Sequence, residues 1–546
     1  MGSELLTFYH EKLKKSWKLA FFSAFWIGLL VHIYKFTNLL PNHDSLYNFY
    51  SSQDMVASGR WFLSIACGFS SWFDLPWVIG ILSLFFMGLT AAMVAEVFQM
   101  ENPVLILLSS ALLVSFPAIT ATMAFEFTAD GYMLSMALAA FSTCLTRMEY
   151  IGRKHWKKLV LSGVCICLSC GIYQAYVSFA FILAVCYFMM ELLENRRTDR
   201  ELWHWIAAQV LIYGCALAAY YGIWKLCMSA AGIGATTYLN IDQVGAMTPS
   251  QLAGAAVTAV IHFVRFFLEW NILQHGVTVY SVLNMLFLVF LGIGLVYGAY
   301  KGGCLKRKQR AFLLLLCVVS LPFGCYIWML TAPAVYYKTI MLQSVVVLYI
   351  FVAVLFEYLV RHTGCKACNA ALALLTAIVM NNSVAANMSY TYMDLCYEKT
   401  YAAAVELSTR IHQLDDGTQR YIVLCGNLDF WQQEDYFDHS KLRQLGAWKE
   451  LDRTILMPQY LSLYTDLDLS YYRIHRLEHP VVKNDLNIPA PYNWEFRSPV
   501  LGTEDGKIWA QKPEVQAMPV WPARDSVQVV GDTVVVKLSE TEEQVS

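Results

Sequence analysis

Asn42-His43-Asp44-Ser45-Leu46-Tyr47-Asn48-Phe49-Tyr50-Ser51-Ser52-Gln53-Asp54-Met55-Val56-Ala57-Ser58-Gly59-Arg60-Trp61 follows directly on the first long apolar run of the chain. Leu46, Phe49, Tyr50, Val56 and Ala57 recur at helical spacing, with Asn48, Ser51, Ser52 and Ser58 on other faces. That pattern predicts a short amphipathic helix lying on a membrane surface. Asp44 stands at its entrance, Gly59 and Arg60 at its exit. A carboxylate and a guanidinium at the level of the lipid headgroups suit chemistry on a lipid-linked phosphate. The rest of the chain reads as the scaffold that carries this segment.

The composition requires a membrane. Of 546 residues, 57% are hydrophobic, 14% aromatic and only 15% charged, whereas a soluble domain is about a quarter charged. The net charge of -2 and the scatter of Lys and Arg along the edges of apolar runs exclude a nucleic-acid surface. The first run, Ser16 to Thr37, exceeds a signal-peptide core and has no small-residue cleavage site after it, so it reads as a retained anchor. Most of the fifteen cysteines lie within apolar runs and act there as small hydrophobes. Cys365 and Cys368 form one CxxC without a second pair, a weak metal or redox signal. Cys396 and Cys425 are the two cysteines of the polar tail, and an extracytoplasmic tail would allow them to pair.

A span needs about 20 apolar residues, and basic residues mark the inner loops. Lys12, Lys14, Lys15 and Lys18 put the N-terminus inside, so the first span delivers Asn42 to Trp61 to the outer face. Further spans are predicted at about 75–98, 103–125 and 131–148, the last ending in Arg153, Lys154, Lys157 and Lys158. The run Leu159 to Leu193 is too long for one helix, and Arg196, Arg197 and Arg200 return its far end to the inside. It therefore divides into two spans, turning at Gly171-Ile172-Tyr173-Gln174. Next come a span at about 204–230, an outer loop, and spans at about 277–300, 311–330, 338–360 and 369–388, with Lys301, Lys306, Arg307, Lys308, Arg310, Arg361 and Lys366 on inner edges. Within that outer loop Thr248-Pro249-Ser250-Gln251 has the form of a capping box. It opens a second surface-lying helix with Thr258, His262, Arg265 and Glu269 on one stripe.

This reading gives an all-α polytopic membrane domain of about eleven transmembrane helices over residues 1–388, with interfacial helices in its outer loops. A small α+β extracytoplasmic domain follows over 389–546. In that tail Met393 to Leu414 reads as an amphipathic helix, Tyr421 to Leu424 as a buried strand, and Val527 to Leu538 as a hairpin around Gly531-Asp532. It holds no P-loop, GxGxxG or GxSxG.

The candidate chemistry lies at the outer edge. Asp44 is placed to remove a proton from an acceptor hydroxyl, although a helix cap is the bland role for such a residue. Asp54 reads as a solvated helix residue and a lesser substrate-binding candidate. Arg60 is a phosphate clamp or a snorkelling side chain. Glu126 and Asp130 close a second outer turn of acids without basic neighbours, solvated loop acids unless they meet substrate. Tyr173 and Gln174 interrupt an apolar run and need partners or a cavity. Arg265 and Lys338 are further cations at this edge, the first on the wet face of its helix.

The acid of the first outer loop followed by Gly59-Arg60-Trp61, the acidic second turn, the break Gly171-Ile172-Tyr173-Gln174-Ala175-Tyr176 and the outward tail resemble the membrane glucosyltransferases that modify bacterial O-antigen during serotype conversion. The likeness spans roughly residues 15–440. That family often carries an Asp-Asp pair in the first loop, where this chain has His43-Asp44-Ser45 and hence a single carboxylate. The resemblance implies a GT-C type hexosyltransferase of the bacterial cytoplasmic membrane, N-terminus inside and tail outside. It would transfer a sugar, glucose by the likeness, from a polyprenyl-phosphate donor to a surface polysaccharide or lipid-linked glycan, with inversion and without a nucleotide. Asp44 would be the base and Arg60 or Lys338 the phosphate ligand. Glu126 and Asp130 would bind acceptor hydroxyls or a divalent cation; no other cofactor is implied. A flippase or other transporter of a lipid-linked glycan is the alternative, but transporters carry internal repeats and midplane charges, and neither is evident here.

Overall fold

The computed structural model describes residues 13–41, 45, 55–70, 74–269, 279–335, 337–364, 367–418, 420–426, 445, 465, 473–474 and 503–540. These form two compact units, the first holding residues 13–39 and 55–389 and the second most of those from Tyr390 onward.

Among the described residues the regular elements of the first unit are all helices. Its helices are α1 (Lys15–Thr37), α2 (Leu63–Ala66), α3 (Pro76–Val97), α4 (Pro103–Ser115), α5 (Pro117–Ala124), α6 (Glu126–Leu145), α7 (Trp156–Ile172), α8 (Tyr176–Glu194), α9 (Asp199–Ala231), α10 (Pro249–Glu269), α11 (Val279–Lys301), α12 (Lys308–Cys325) and α13 (Val346–Thr363). The helix α14 (Cys368–His412) begins in this unit and runs on into the second. Residues predicted as a separate span and a separate tail helix thus form one 45-residue helix, because no Gly or Pro occurs between Cys368 and His412 to stop it.

Among the described residues nine helices are long and apolar enough to cross a membrane, or ten if the bent pair α4–α5 is one span. The expected count of about eleven differs at three places. The predicted 131–148 span is α6, which starts earlier at Glu126 and falls outside the set because that end is acidic. The first half of the 159–193 run is α7, only 17 residues long. Conversely α10, expected to lie on the surface, meets the measure of a span. Its start is the capping box read from the sequence: Gln251 N–H donates to Thr248 Oγ1 at 3.3 Å and Thr248 N–H to Gln251 Oε1 at 2.8 Å.

Breaks fall where the sequence provides them. Pro117 cannot continue α4, since its ring removes a donor and clashes one turn back, and α4 and α5 meet at 45°. Gly171 to Gln174 separates α7 from α8, as predicted. Helix α1 packs on α3 and α4, and α6 packs on α3, α7 and α8. Small residues allow the close approaches: a Cβ on Gly88 would lie 2.6 Å from the Phe21 ring, and one on Gly80 2.5 Å from Phe36, the small-residue contact usual between membrane helices. At one end of the bundle Glu96 accepts from Lys14 Nζ at 2.7 Å, Trp17 Nε1 at 2.7 Å and Arg147 Nη1 at 2.6 Å, tying α1, α3 and the end of α6 together.

The second unit contains a mixed four-stranded sheet in the order β2 (Arg473–Ile474), β1 (Tyr421–Cys425), β4 (Thr533–Lys537), β3 (Val527–Val530). The hairpin β3–β4 turns at Gly531, whose φ of 62° suits glycine. The pair β1–β4 is parallel. Helix α15 (Thr503–Ala510) packs against β1 so closely that a Cβ on Gly506 would lie 2.3 Å from Leu424 O. Cys396 and Cys425 are both buried and neither is in a disulfide, so the pairing allowed by their positions in the tail is not made.

Candidate functional site

Met55 to Gly59 is a tight turn, not the last turn of a surface helix, and Val56, Ala57 and Ser58 are buried. Every backbone carbonyl from Val56 to Gly59 is held by a donor from elsewhere in the unit. Trp224 Nε1 donates to Val56 O at 2.7 Å, Thr236 N–H to Ala57 O at 3.1 Å, Gln174 Nε2 to Ser58 O at 2.6 Å and Tyr220 Oη to Gly59 O at 3.1 Å. A turn with its acceptors met in this way loses nothing by leaving water. Gly59 has φ +83°, and a Cβ there would lie 2.3 Å from Tyr220 Oη and 2.4 Å from Gln174 Nε2. Only glycine fits, for both conformation and space.

The turn delivers Arg60 to a cluster of tyrosines. Arg60 Nε donates to Ser58 Oγ at 2.8 Å, and its Nη1 to Tyr132 Oη at 3.3 Å. Tyr132, on α6, stacks on Tyr173 at 4.7 Å between centroids and 17° between planes. Tyr173 meets Tyr176 edge-on at 6.1 Å. Phe62 N–H donates to Gly171 O at 2.7 Å, so the chain after Arg60 is laced to the α7–α8 break. Gln174 gives its amide hydrogens to Ser58 O and, at 2.9 Å, to Tyr220 Oη. Arg60, Tyr173 and Gln174, far apart in sequence, are therefore brought together.

Glu126 and Asp130 are buried at the start of α6 rather than solvated. The expectation that they lack basic neighbours is overturned by Lys35 of α1, whose Nζ lies 2.7 Å from Glu126 Oε2. The other oxygen, Glu126 Oε1, has no hydrogen-bond partner among the described residues, and Asp74 is close enough to act on Glu126 electrostatically. A buried lysine is tolerated in a membrane helix only with such a partner. Asp130 is bound within the protein: Oδ1 accepts from Gly131 N–H at 2.8 Å, and the side chains of Ser70 and Cys67 bond to it as well. It fastens the Leu63–Ser70 turn to α6.

Lys338 is partly exposed and caps the short turn Thr339–Met341, which packs against α5. Five residues on, Gln343 Nε2 donates to Tyr176 Oη at 3.3 Å, linking this segment to the tyrosine cluster. Arg265 stands apart, exposed on α10 with its Nε 3.5 Å from Glu269 Oε1. Asp44 and Asp54 lie outside the described residues. No group of three His, Cys, Asp or Glu among the described residues is placed to hold a metal ion.

Sequence reasoning passed over Lys35, Tyr132, Tyr220 and Trp224. For Lys35 the signal was present, since a lysine inside an apolar span demands a partner. Tyr220 and Trp224 are one helical turn apart on a single face, with no polar company to mark them.

Apolar helices that gather a guanidinium, tyrosine hydroxyls and a buried ion pair around two helix breaks define a polytopic membrane protein with a polar site built into its bundle. The family model for glucosyl transferase GtrII matches residues 33–356, a stretch that includes Lys35, Arg60, Glu126 and Lys338. That is more than half of the chain, which belongs to this family and is a membrane glycosyltransferase of O-antigen modification. Comparison with curated proteins and with solved structures finds no match.

Proposed function

We propose that the chain moves a glucosyl group from a polyprenyl-phosphate donor to a hydroxyl of a surface glycan, at the outer face of the bacterial cytoplasmic membrane. The observation that carries the reading is the anchored turn at Val56–Arg60. It holds a guanidinium beside stacked tyrosines within the family-matched segment, sixteen residues after Asp44. The acceptor oxygen attacks the anomeric carbon as the bond from that carbon to the phosphate oxygen breaks, inverting the centre. Asp44 takes the hydroxyl proton. Arg60 binds the donor phosphate from the ground state onward, and Lys338 meets the charge that grows on it as it departs. Tyr132 and Tyr173 offer aromatic faces to the sugar. Glu126, held by Lys35, and Asp130 line the same end of α6, where Glu126 Oε1 is an acceptor for an acceptor-glycan hydroxyl. In this reading the N-terminus is cytoplasmic, residues 1–388 form the transferase domain, and 389–546 form an extracytoplasmic α+β domain.

The test uses the purified full chain with polyprenyl-phosphate glucose and candidate glycans, following loss of the lipid-linked sugar. Asp44→Asn in correctly inserted protein is expected to abolish transfer. Unaltered activity removes Asp44 from the mechanism. Absence of transfer by the parent with any glycan, alongside movement of intact lipid-linked sugar across vesicles, would replace the whole reading with transport.

A further inference from the structure

Tyr220 and Trp224 of helix α9 lie more than 150 residues beyond Arg60 in sequence, yet both bond to the turn that presents Arg60. Tyr220 Oη sits at the centre of this arrangement: it donates to Gly59 O at 3.1 Å and accepts from Gln174 Nε2 at 2.9 Å. Gln174 in turn holds Ser58 O at 2.6 Å, and Ser58 Oγ receives Arg60 Nε at 2.8 Å. Trp224, one helical turn on, holds Val56 O at 2.7 Å, and its ring stacks on Tyr220 at 6.3 Å. Hydrogen bonds of 2.6–3.1 Å thus join α9 to the residues that hold the guanidinium. Within the turn, Ser58 Oγ donates to Met55 O at 3.1 Å, while the left-handed Gly59 contributes no side chain.

From this geometry we infer that Tyr220 and Trp224 of α9, acting through Gln174, are positioning residues that fix the direction in which Arg60 is offered to an anionic phosphate group. The inference rests on the proposed role of Arg60 in binding the donor phosphate. It also recasts Gln174, whose two amide hydrogens are both committed to the protein, as a strut rather than a hydrogen donor to substrate. A guanidinium selects phosphate through two parallel N–H groups, so a misdirected fork loses affinity while keeping its charge. The expected signature is weaker donor binding with the chemical step preserved.

Tyr220→Phe removes one oxygen and no ring, so packing against Trp224 is retained. It is expected to raise KM for the lipid-linked donor roughly threefold to tenfold, the range of a lost positioning hydrogen bond or two, while kcat and the acceptor KM stay within about twofold. Arg60→Ala tests the underlying reading and is expected to raise donor KM at least as much. In an Arg60→Lys background, where a point charge replaces the fork, Tyr220→Phe is expected to have no further effect. If Arg60→Ala weakens the donor while Tyr220→Phe does not, the positioning role falls and the reading of Arg60 stands. Equal losses in kcat and in both KM values, or additive losses in the Arg60→Lys background, mean that Tyr220 is only structural. If Arg60→Ala leaves donor KM unchanged, both the reading and the inference built on it are overturned.

Discussion

Replacing Lys35 by Met is the sharpest test of how this bundle is held together. The Lys35–Glu126 pair is 2.7 Å apart, with side chains 1% and 4% exposed, so solvent screening is slight. At an effective dielectric of about 20 the attraction at that distance is about 6 kcal/mol, set against a desolvation cost of several kcal/mol per ion. The pair is close to balanced, but removing one member is not. Lys35→Met leaves the Glu126 carboxylate buried without its counter-charge, a loss of roughly 3–5 kcal/mol against the 5–15 kcal/mol typical of a whole fold. Thermal unfolding in detergent should show a midpoint lower by on the order of 5 °C or more, with reduced yield of monodisperse protein. The double variant Lys35→Met/Glu126→Gln removes both charges at similar volume and should return most of that stability, since a neutral pair carries no stranded ion. Its glucosyl transfer should nevertheless stay low if Glu126 Oε1 meets the acceptor. A Lys35→Met protein as stable as its parent would falsify the claim that the pair is buried and coupled.

Two further outcomes follow from packing and burial. A Cβ at Gly171 would lie 2.7 Å from the Trp61 ring and 3.1 Å from Phe62 Cβ, so Gly171→Ala should cost about 1–3 kcal/mol by overpacking and lower transfer by moving the chain beside Arg60. Gly163→Ala, with nothing within 4 Å of its Cβ, is the control, and equal unfolding midpoints for the two would refute the packing argument. Burial pushes the Cys425 thiol up to about 12, with Lys537 and Lys512 only partly opposing it. At neutral pH its thiolate is therefore roughly one part in ten thousand or less, and maleimide should label Cys425 only after unfolding. Rapid labelling of the native protein would contradict its place behind β4.

Much of the helical scaffold could be read from the chain because each boundary rests on local chemistry. Pro117, the Thr248 capping box and the Gly171–Gln174 break act within a turn of where they stand, and the hairpin at Gly531 does the same in the tail. What failed was burial. The polar character of Glu126 and Asp130 suggested water, but the residues that satisfy them, Lys35, Ser70 and Cys67, come from other segments of the chain. The count of spans shows a related effect: α6, expected as a span, begins with two acids that the bundle itself accommodates, and by length and composition alone it is left out of the nine.

The segment from Met55 to Gly59 shows most clearly why such a site resists reading from sequence. Its amphipathic pattern made a surface helix the economical prediction, since a helix meets its own carbonyls. In an apolar bundle a non-helical turn is tolerated only where other groups take over that role. Here four distant donors do so: Trp224, Thr236, Gln174 and Tyr220. None is charged, and three of the four are ordinary residues of a membrane helix or loop when seen alone. Their number fits a requirement of the proposed chemistry, because a guanidinium on a helix moves with the helix, whereas one on a turn bonded at every carbonyl is fixed by the surrounding bundle. Losing the donor to Ala57, Ser58 or Gly59 strands a buried carbonyl at a cost of about 1–3 kcal/mol and frees the turn by one bond, whereas Val56 O keeps the Gly59 N–H at 3.0 Å. In the proposed chemistry Arg60 accordingly depends on side chains more than 100 positions away, and the break at Gln174 and the face of α9 belong to the proposed site as much as the loop that carries the charge.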